Sequence, residues 1–146
     1  MPTIELIYNP RAGGLQKATE TVQQLVTALQ KKGIPLAKEQ VIATTCAGDA
    51  TRLAEQAVQR ETDLLIVCGG DGTINEAAQA VIGTKTRLAV LPVGTANVLA
   101  KEMKLPRSPE KLAALIASGR TREISVGRAS TPDLSWQRYF LLMAGI

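Results

Sequence analysis

The sequence predicts an α/β domain in which a mainly parallel sheet is flanked by helices, and three observations predict it. Strand-like apolar runs alternate with segments of helical periodicity along most of the 146 residues, the pattern of layered α/β folds. The run Leu64-Leu65-Ile66-Val67-Cys68 is apolar at every position, as expected of a strand covered on both faces. Aromatics make up 3% of the chain against 45% apolar residues, which leaves the core to Ala, Val, Ile and Leu, the residues that fill buried parallel strands.

The elements follow in order. Ile4 to Tyr8 reads as a first strand, ended by Asn9-Pro10. A helix is expected over about 15–32, because Val22, Leu25, Val26 and Leu29 recur at i, i+3, i+4 and i+7. Gly33 stops it and Pro35 seals the stop. A second strand is expected over 36–44. A second helix follows, capped by Asp49 or Thr51, with Ala50, Leu53, Ala54, Ala57 and Val58 on one face. After the strand at 64–68, residues 69–73 read as a turn and 74–81 as a third helix. A fourth strand is expected over 87–91, a fourth helix over 95–104, and a fifth over 109–118, stopped by Gly119.

After Gly119 the pattern changes. Residues 123–129 and 138–146 read as two strands joined by a turn at Thr131-Pro132-Asp133. The division expected is a first domain over 1–124 and, over 125–146, strands leading into a second β-rich unit. The sequence stops inside an apolar run, 139–146. That run is expected to need a covering layer, and otherwise to pair edge to edge with another copy.

Composition narrows the chemistry. The sequence contains no His, which excludes a His general base or a Ser-His-Asp triad within these residues. Cys46 and Cys68 lie too far apart for a metal-type spacing, and two unpaired cysteines suit a reducing, cytoplasmic setting. The start has no signal-peptide pattern, and no apolar run approaches a membrane span. The net charge of +4 is scattered and lacks interleaved aromatics, which argues against a nucleic-acid partner.

Three motifs fall at strand ends, where open α/β sheets bind ligands. The first is Asn9-Pro10-Arg11-Ala12-Gly13-Gly14. Its glycines let backbone N–H groups approach an anion at the following helix start; alternatively it is only a tight turn. The second is Gly69-Gly70-Asp71-Gly72-Thr73, followed by Asn75 and Glu76. Three glycines in four positions permit backbone geometry closed to other residues, and Asp71 suits a metal-bound phosphate; otherwise Asp71 and Thr73 are only helix caps. No Walker motif or dinucleotide fingerprint is present. The third is Pro92-Val93-Gly94-Thr95-Ala96-Asn97-Val98-Leu99-Ala100, in which Gly94 and Thr95 are read at a helix start and Asn97 as a bond to a neighbouring loop, or again as capping.

Taken together these motifs, with Thr44 and Gly48-Asp49-Ala50 between them, resemble the catalytic domain of diacylglycerol and sphingosine kinases and their bacterial relatives. Gly-Gly-Asp-Gly-Thr alone is shared with NAD kinases; Pro-x-Gly-Thr-x-Asn separates the lipid kinases. The resemblance implies an NAD kinase/diacylglycerol kinase-like fold and an ATP-dependent transfer of phosphate to a lipid hydroxyl, with Mg²⁺ as cofactor. It implies that Asn9, Pro10, Arg11, Ala12, Gly13, Thr44, Gly69, Gly70, Asp71, Gly72, Thr73, Glu76, Gly94 and Thr95 surround ATP, with Asp71 catalytic and near the metal; further metal ligands are unassigned. Many relatives carry an Asp where this chain has Ser125, so no acidic role falls there. The resemblance also implies that a second, β-rich domain is missing and helps form the lipid site. The general base is then Asp71 or a carboxylate of that domain. A soluble-nucleotide kinase and a non-catalytic ATP-binding module are the alternatives. The lipid would be met at a membrane surface, and the isolated chain is expected to be inactive and to self-associate.

Overall fold

The computed structural model describes residues 1–14 and 16–141. Four strands, β1 (Ile4–Tyr8), β2 (Val41–Ala43), β3 (Leu64–Gly69) and β4 (Arg87–Pro92), form one sheet in the order β2-β1-β3-β4. All neighbours run parallel. The helices are α1 (Lys17–Lys31), α2 (Asp49–Gln59), α3 (Asp71–Val81), α4 (Val98–Glu102) and α5 (Pro109–Ser118). An antiparallel hairpin of β5 (Gly127–Ser130) and β6 (Gln137–Phe140) forms a separate two-stranded sheet.

The fully apolar β3 is covered on both sides, as its pattern requires. Ile66 and Cys68 pack with Val22, Leu25 and Leu29 of α1 and Leu112 of α5. Leu65 and Val67 pack with Leu53 and Ala57 of α2, Ile74 and Ala77 of α3 and Leu99 of α4. Burial pushes the Cys68 thiol up to about 12, so it acts as a small apolar core residue. The neighbouring strands β1 and β3 are thus followed by helices on opposite faces of the sheet. In open α/β sheets such a switch point opens a crevice beyond the strands' carboxyl ends.

The register brings those ends level. Tyr8 lies opposite Cys68, and Gly69 opposite Pro92. Backbone bonding continues past the strands: Thr44 N–H donates to the Tyr8 carbonyl (2.8 Å), Asn9 N–H to that of Cys68 (3.0 Å) and Val93 N–H to that of Gly69 (2.8 Å). Residues from all three motifs and Thr44 therefore leave the sheet along one laced edge.

Several sequence expectations change. The strand expected over 36–44 is only three residues long and follows a 3₁₀ turn, Lys38–Gln40. The Gln40 side chain accepts from Ala37 N–H and donates to the Ile4 carbonyl (both 2.7 Å), so it turns the chain before pairing begins. Neither Asp49 nor Thr51 caps α2; Gly48 does, at φ +82°. Helix α3 starts at Asp71 rather than 74, so Gly72 and Thr73 belong to its first turn. Helix α4 starts at Val98 rather than 95, because Asn97 before it sits in the left-handed region at φ +52°. The hairpin ladder begins at Gly127, not 123, where a Cβ would overlap the Phe140 ring. The rest of the apolar run, 142–146, and the self-pairing edge assigned to it lie outside the described residues, as does residue 15.

Candidate functional site

The β1–α1 loop is shaped by Asn9. Its Oδ1 accepts from Arg11 N–H (3.0 Å) and its carbonyl from Ala12 N–H (3.1 Å). Its Nδ2 donates to Thr73 Oγ1 (3.4 Å), linking the first motif to the second. The chain then needs glycine: Gly13 has φ +72°, and a Cβ there would lie 2.9 Å from Val93 Cγ1 of the third motif. A side chain would be both strained and blocked. Ala12 packs partly against the core and so supports the loop from behind.

In the second motif none of the glycines has a positive φ, so their conformational freedom is not what the site uses. Gly70 is extended (φ −84°, ψ −178°). What matters is approach. A Cβ on Gly69 would lie 2.9 Å from Thr73 Cβ, and one on Gly94 would lie 2.9 Å from both Gly70 Cα and Asn97 Oδ1. The second and third motifs therefore touch backbone to backbone. Asp71 Oδ2 accepts from Val98 N–H (3.1 Å), tying the start of α3 to the start of α4. Asn97 does not cross to a neighbouring loop; its Nδ2 donates to the Gly94 carbonyl (3.0 Å) within its own loop. Two buried acceptors, Asp71 Oδ1 and Asn97 Oδ1, have no donor. Buried oxygens in that state invite a cation or a donor.

The cleft at the switch point has a volume of about 310 Å³. Its walls include Asn9, Pro10, Arg11, Thr44, Gly72, Thr73 and Glu76. Gly69, Gly70, Asp71, Gly94 and Thr95 do not line it; they form the adjoining junction between the second and third motifs. Thr95 is exposed and lies three residues before α4, so it caps no helix. Thr86, just before β4, is buried at 8% exposure. A larger groove of about 1060 Å³ runs along the outer side of β4 and contains none of the predicted site residues. Its lining mixes aliphatic side chains with charged ones such as Arg87, Arg120 and Arg122, and the motif residues gather instead at the smaller cleft.

Three cleft residues escape a motif reading: Thr45, Cys46 and Ala47. They are placed by Asp49, whose Oδ2 accepts from Thr45 N–H (2.8 Å) and Thr45 Oγ1 (3.1 Å) while Oδ1 accepts from Arg52. Glu76 braces the same loop from α3. Its Oε2 accepts from Gly48 N–H (3.2 Å) and its carbonyl from Thr51 Oγ1 (2.8 Å). The Thr45 N–H bond, then the Arg52 guanidinium, holds the Asp49 carboxyl below the usual carboxylate range. A depressed folded-state value means that this contribution is complete above the unfolded value of about 3.9 and is lost as pH falls through the folded value. Asp49→Ala is expected to release residues 44–47 and flatten the acid limb of the stability–pH curve. Hydrogen exchange over residues 44–47 and thermal melts from neutral to acid pH check this; an unchanged acid limb would remove Asp49 from the account.

Among the described residues no three His, Cys, Asp or Glu side chains converge as a metal cage. Mg²⁺ is commonly held by one or two carboxylates, with substrate phosphates and waters completing its octahedron. The donorless Asp71 Oδ1 fits that limited demand.

The open parallel sheet, its switch-point cleft and the glycine turns at one edge define a ligand-binding α/β domain of the doubly wound class. Comparison narrows the class. The profile of the diacylglycerol kinase catalytic domain matches residues 3–129, and the chain belongs to that family. A diacylglycerol kinase of Bacillus subtilis (strain 168) is 36% identical, over 99% of this chain and 46% of its own length. A Serratia proteamaculans (strain 568) protein named "Probable lipid kinase YegS-like" is 36% identical, over 95% of this chain and 43% of its own. The crystal structure of a diacylglycerol kinase from Bacillus anthracis str. Sterne superposes with a TM-score of 0.75 at 27% identity, over 95% of this chain and 44% of that one. The chain thus spans less than half the length of each of these relatives.

Proposed function

We propose that this chain is the ATP-binding domain of a lipid kinase that transfers the γ-phosphate of ATP to a lipid hydroxyl such as that of diacylglycerol. The observation that supports the reading most is the laced edge: backbone bonds hold Asn9, Thr44, Gly69 and Val93 along one end of the sheet, and at the adjoining junction a buried Asp71 oxygen has no donor. Phosphoryl transfer asks the protein chiefly for positioning and charge stabilisation. The first-turn amides of α3, Gly72 and Thr73 among them, have no partner inside the helix and suit phosphate oxygens. The Asn9–Thr73 link and the Glu76 brace tie the walls of the cleft to one another at a fixed spacing. Asp71 would hold Mg²⁺, which when bound spreads the charge of the phosphates. As the acceptor oxygen bonds to the γ-phosphorus, the bond to the β-phosphate oxygen breaks and ADP leaves. The hydroxyl proton passes to a carboxylate, Asp71 or one in a β-rich part that begins near residue 125 and shapes the acceptor site. No helix among the described residues is long and apolar enough to cross a membrane; in this reading the lipid is met at the bilayer surface.

The protein at its natural length, given radiolabelled ATP with diacylglycerol vesicles or with NAD, tests the reading. Label is expected in the lipid fraction. Label in NAD would favour the soluble-nucleotide kinase, and ATP binding without transfer to either would leave a nucleotide-binding module.

A further inference from the structure

Gln79 lies on α3 two turns beyond Asp71 and belongs to none of the motifs. Its side chain nonetheless makes two hydrogen bonds to the backbone of one β6 residue. Nε2 donates to the Tyr139 carbonyl (2.7 Å), and Oε1 accepts from Tyr139 N–H (3.0 Å). A primary amide carries the same donor and acceptor as a peptide unit, so Gln79 takes the place of a residue on a neighbouring strand. Nε2 also reaches the Asn75 carbonyl one turn back (3.2 Å), which orients the amide. The hairpin shares no ladder with the four-stranded sheet. Among the described residues, apart from the packing of Leu141 on the core, the side-chain hydrogen bonds from the hairpin to the α/β layer are those of this amide.

We propose that Gln79 is a positioning residue for phosphoryl transfer, latching the hairpin to the helix that carries Asp71. Helix α3 is unbroken from Asp71 to Val81, and the rise between positions 71 and 79 is about 12 Å. One rigid rod thus spans from the phosphate end to the base of the β-rich part. The inference rests on the kinase reading above, in which that part shapes the acceptor site. In-line transfer is intolerant of misplacement, with about a hundredfold lost per ångström.

The test uses the protein at its natural length. Gln79→Met keeps the side-chain length and can make neither bond; Gln79→Glu keeps an acceptor for Tyr139 N–H and, when ionised, loses the donor. For Gln79→Met, kcat is expected to fall about tenfold or more while KM for ATP stays within about twofold. Hydrogen exchange at the Tyr139 amide should accelerate, and emission from Trp136, half-exposed on the hairpin turn and the one tryptophan of residues 1–146, should shift when read as the difference from a Trp136→Phe control. Gln79→Glu should fall between Gln79→Met and the unsubstituted protein in all three readouts, and it carries the test if Gln79→Met does not fold. Unchanged kcat despite faster exchange would overturn the catalytic role, and unchanged exchange would overturn the latch. If the unsubstituted protein phosphorylates no lipid, the kinase reading and the catalytic role fall together, while exchange and Trp136 emission still decide whether the latch exists.

Discussion

Asp71→Asn is expected to reduce turnover of the natural-length protein by at least about a hundredfold, the lower end of what a positioned proton-transfer group contributes, while leaving its melting temperature unchanged or slightly raised. The two halves of this expectation come from the two oxygens. Oδ2 accepts from Val98 N–H and joins α3 to α4; the carbonyl oxygen of an asparagine can do the same, so the junction survives. Oδ1 is buried with no donor, an arrangement that costs about 1–3 kcal/mol in a folded protein and more when the group is charged. An amide nitrogen in its place removes the charge and supplies a donor to a junction that also holds the donorless Asn97 oxygen. The amide is therefore expected to leave the melt unchanged or to raise it slightly. Steady-state kinetics alongside a reversible melt check both halves. Near-normal turnover would remove Asp71 from the mechanism, and lost turnover with a collapsed melt would make it a structural cap.

Local pattern reveals the elements whose ends are decided locally. Helix α5 begins and ends where Ser108, Pro109 and Gly119 indicate, with Ser108 Oγ accepting from Lys111 N–H (3.2 Å) and Gly119 at φ +68°. The buried strand β3 and the apolar face of α1 are legible for the same reason, since unbroken apolarity and a 3.6-residue period have few alternative readings. The starts of α2, α3 and α4 are not. The residue just before each of these helices makes no side-chain capping bond; contacts between motifs help set the starts, such as Val98 N–H on Asp71, 27 positions away. The strand expected over 36–44 misled because Leu36 is apolar for packing against α1's core layer rather than for pairing. At the site, the residue types were legible and their division was not. The family resemblance implies Asn9, Thr44, Thr73 and Glu76 around one ligand, and these four side by side line one cleft. That Thr45 to Ala47 complete it depends on Asp49 folding the loop back on itself, and that Thr95 stands outside it depends on the turn at Asn97.

Gly94→Ala is expected to be far more damaging than Gly70→Ala, and Gly72→Ala to separate stability from binding. A Cβ on Gly94 would lie 2.9 Å from Gly70 Cα. The obstacle is backbone rather than a mobile side-chain end, so the two motifs must move apart. Overpacking of this kind typically costs about 1–3 kcal/mol, and here the displaced residue adjoins Asp71. Both the melting temperature and ATP affinity should therefore fall. Gly70→Ala is milder, because its Cβ would meet Gly94 Cα at 3.7 Å, an ordinary contact. Gly72 sits in the first turn of α3, without a positive φ and with nothing within 4 Å of an added Cβ. Alanine in a helix is favoured over glycine by about 0.5–1 kcal/mol, so the fold should gain stability. Gly72 also lines the cleft, where a methyl group would stand between the first-turn amides and a phosphate. The expected signature is a raised melting temperature with weakened ATP binding, read by calorimetry on the same preparation. If Gly72→Ala binds ATP as tightly as the unsubstituted protein, the phosphates do not approach over the first turn of α3. If Gly94→Ala also leaves binding intact, the junction between the second and third motifs is architecture alone.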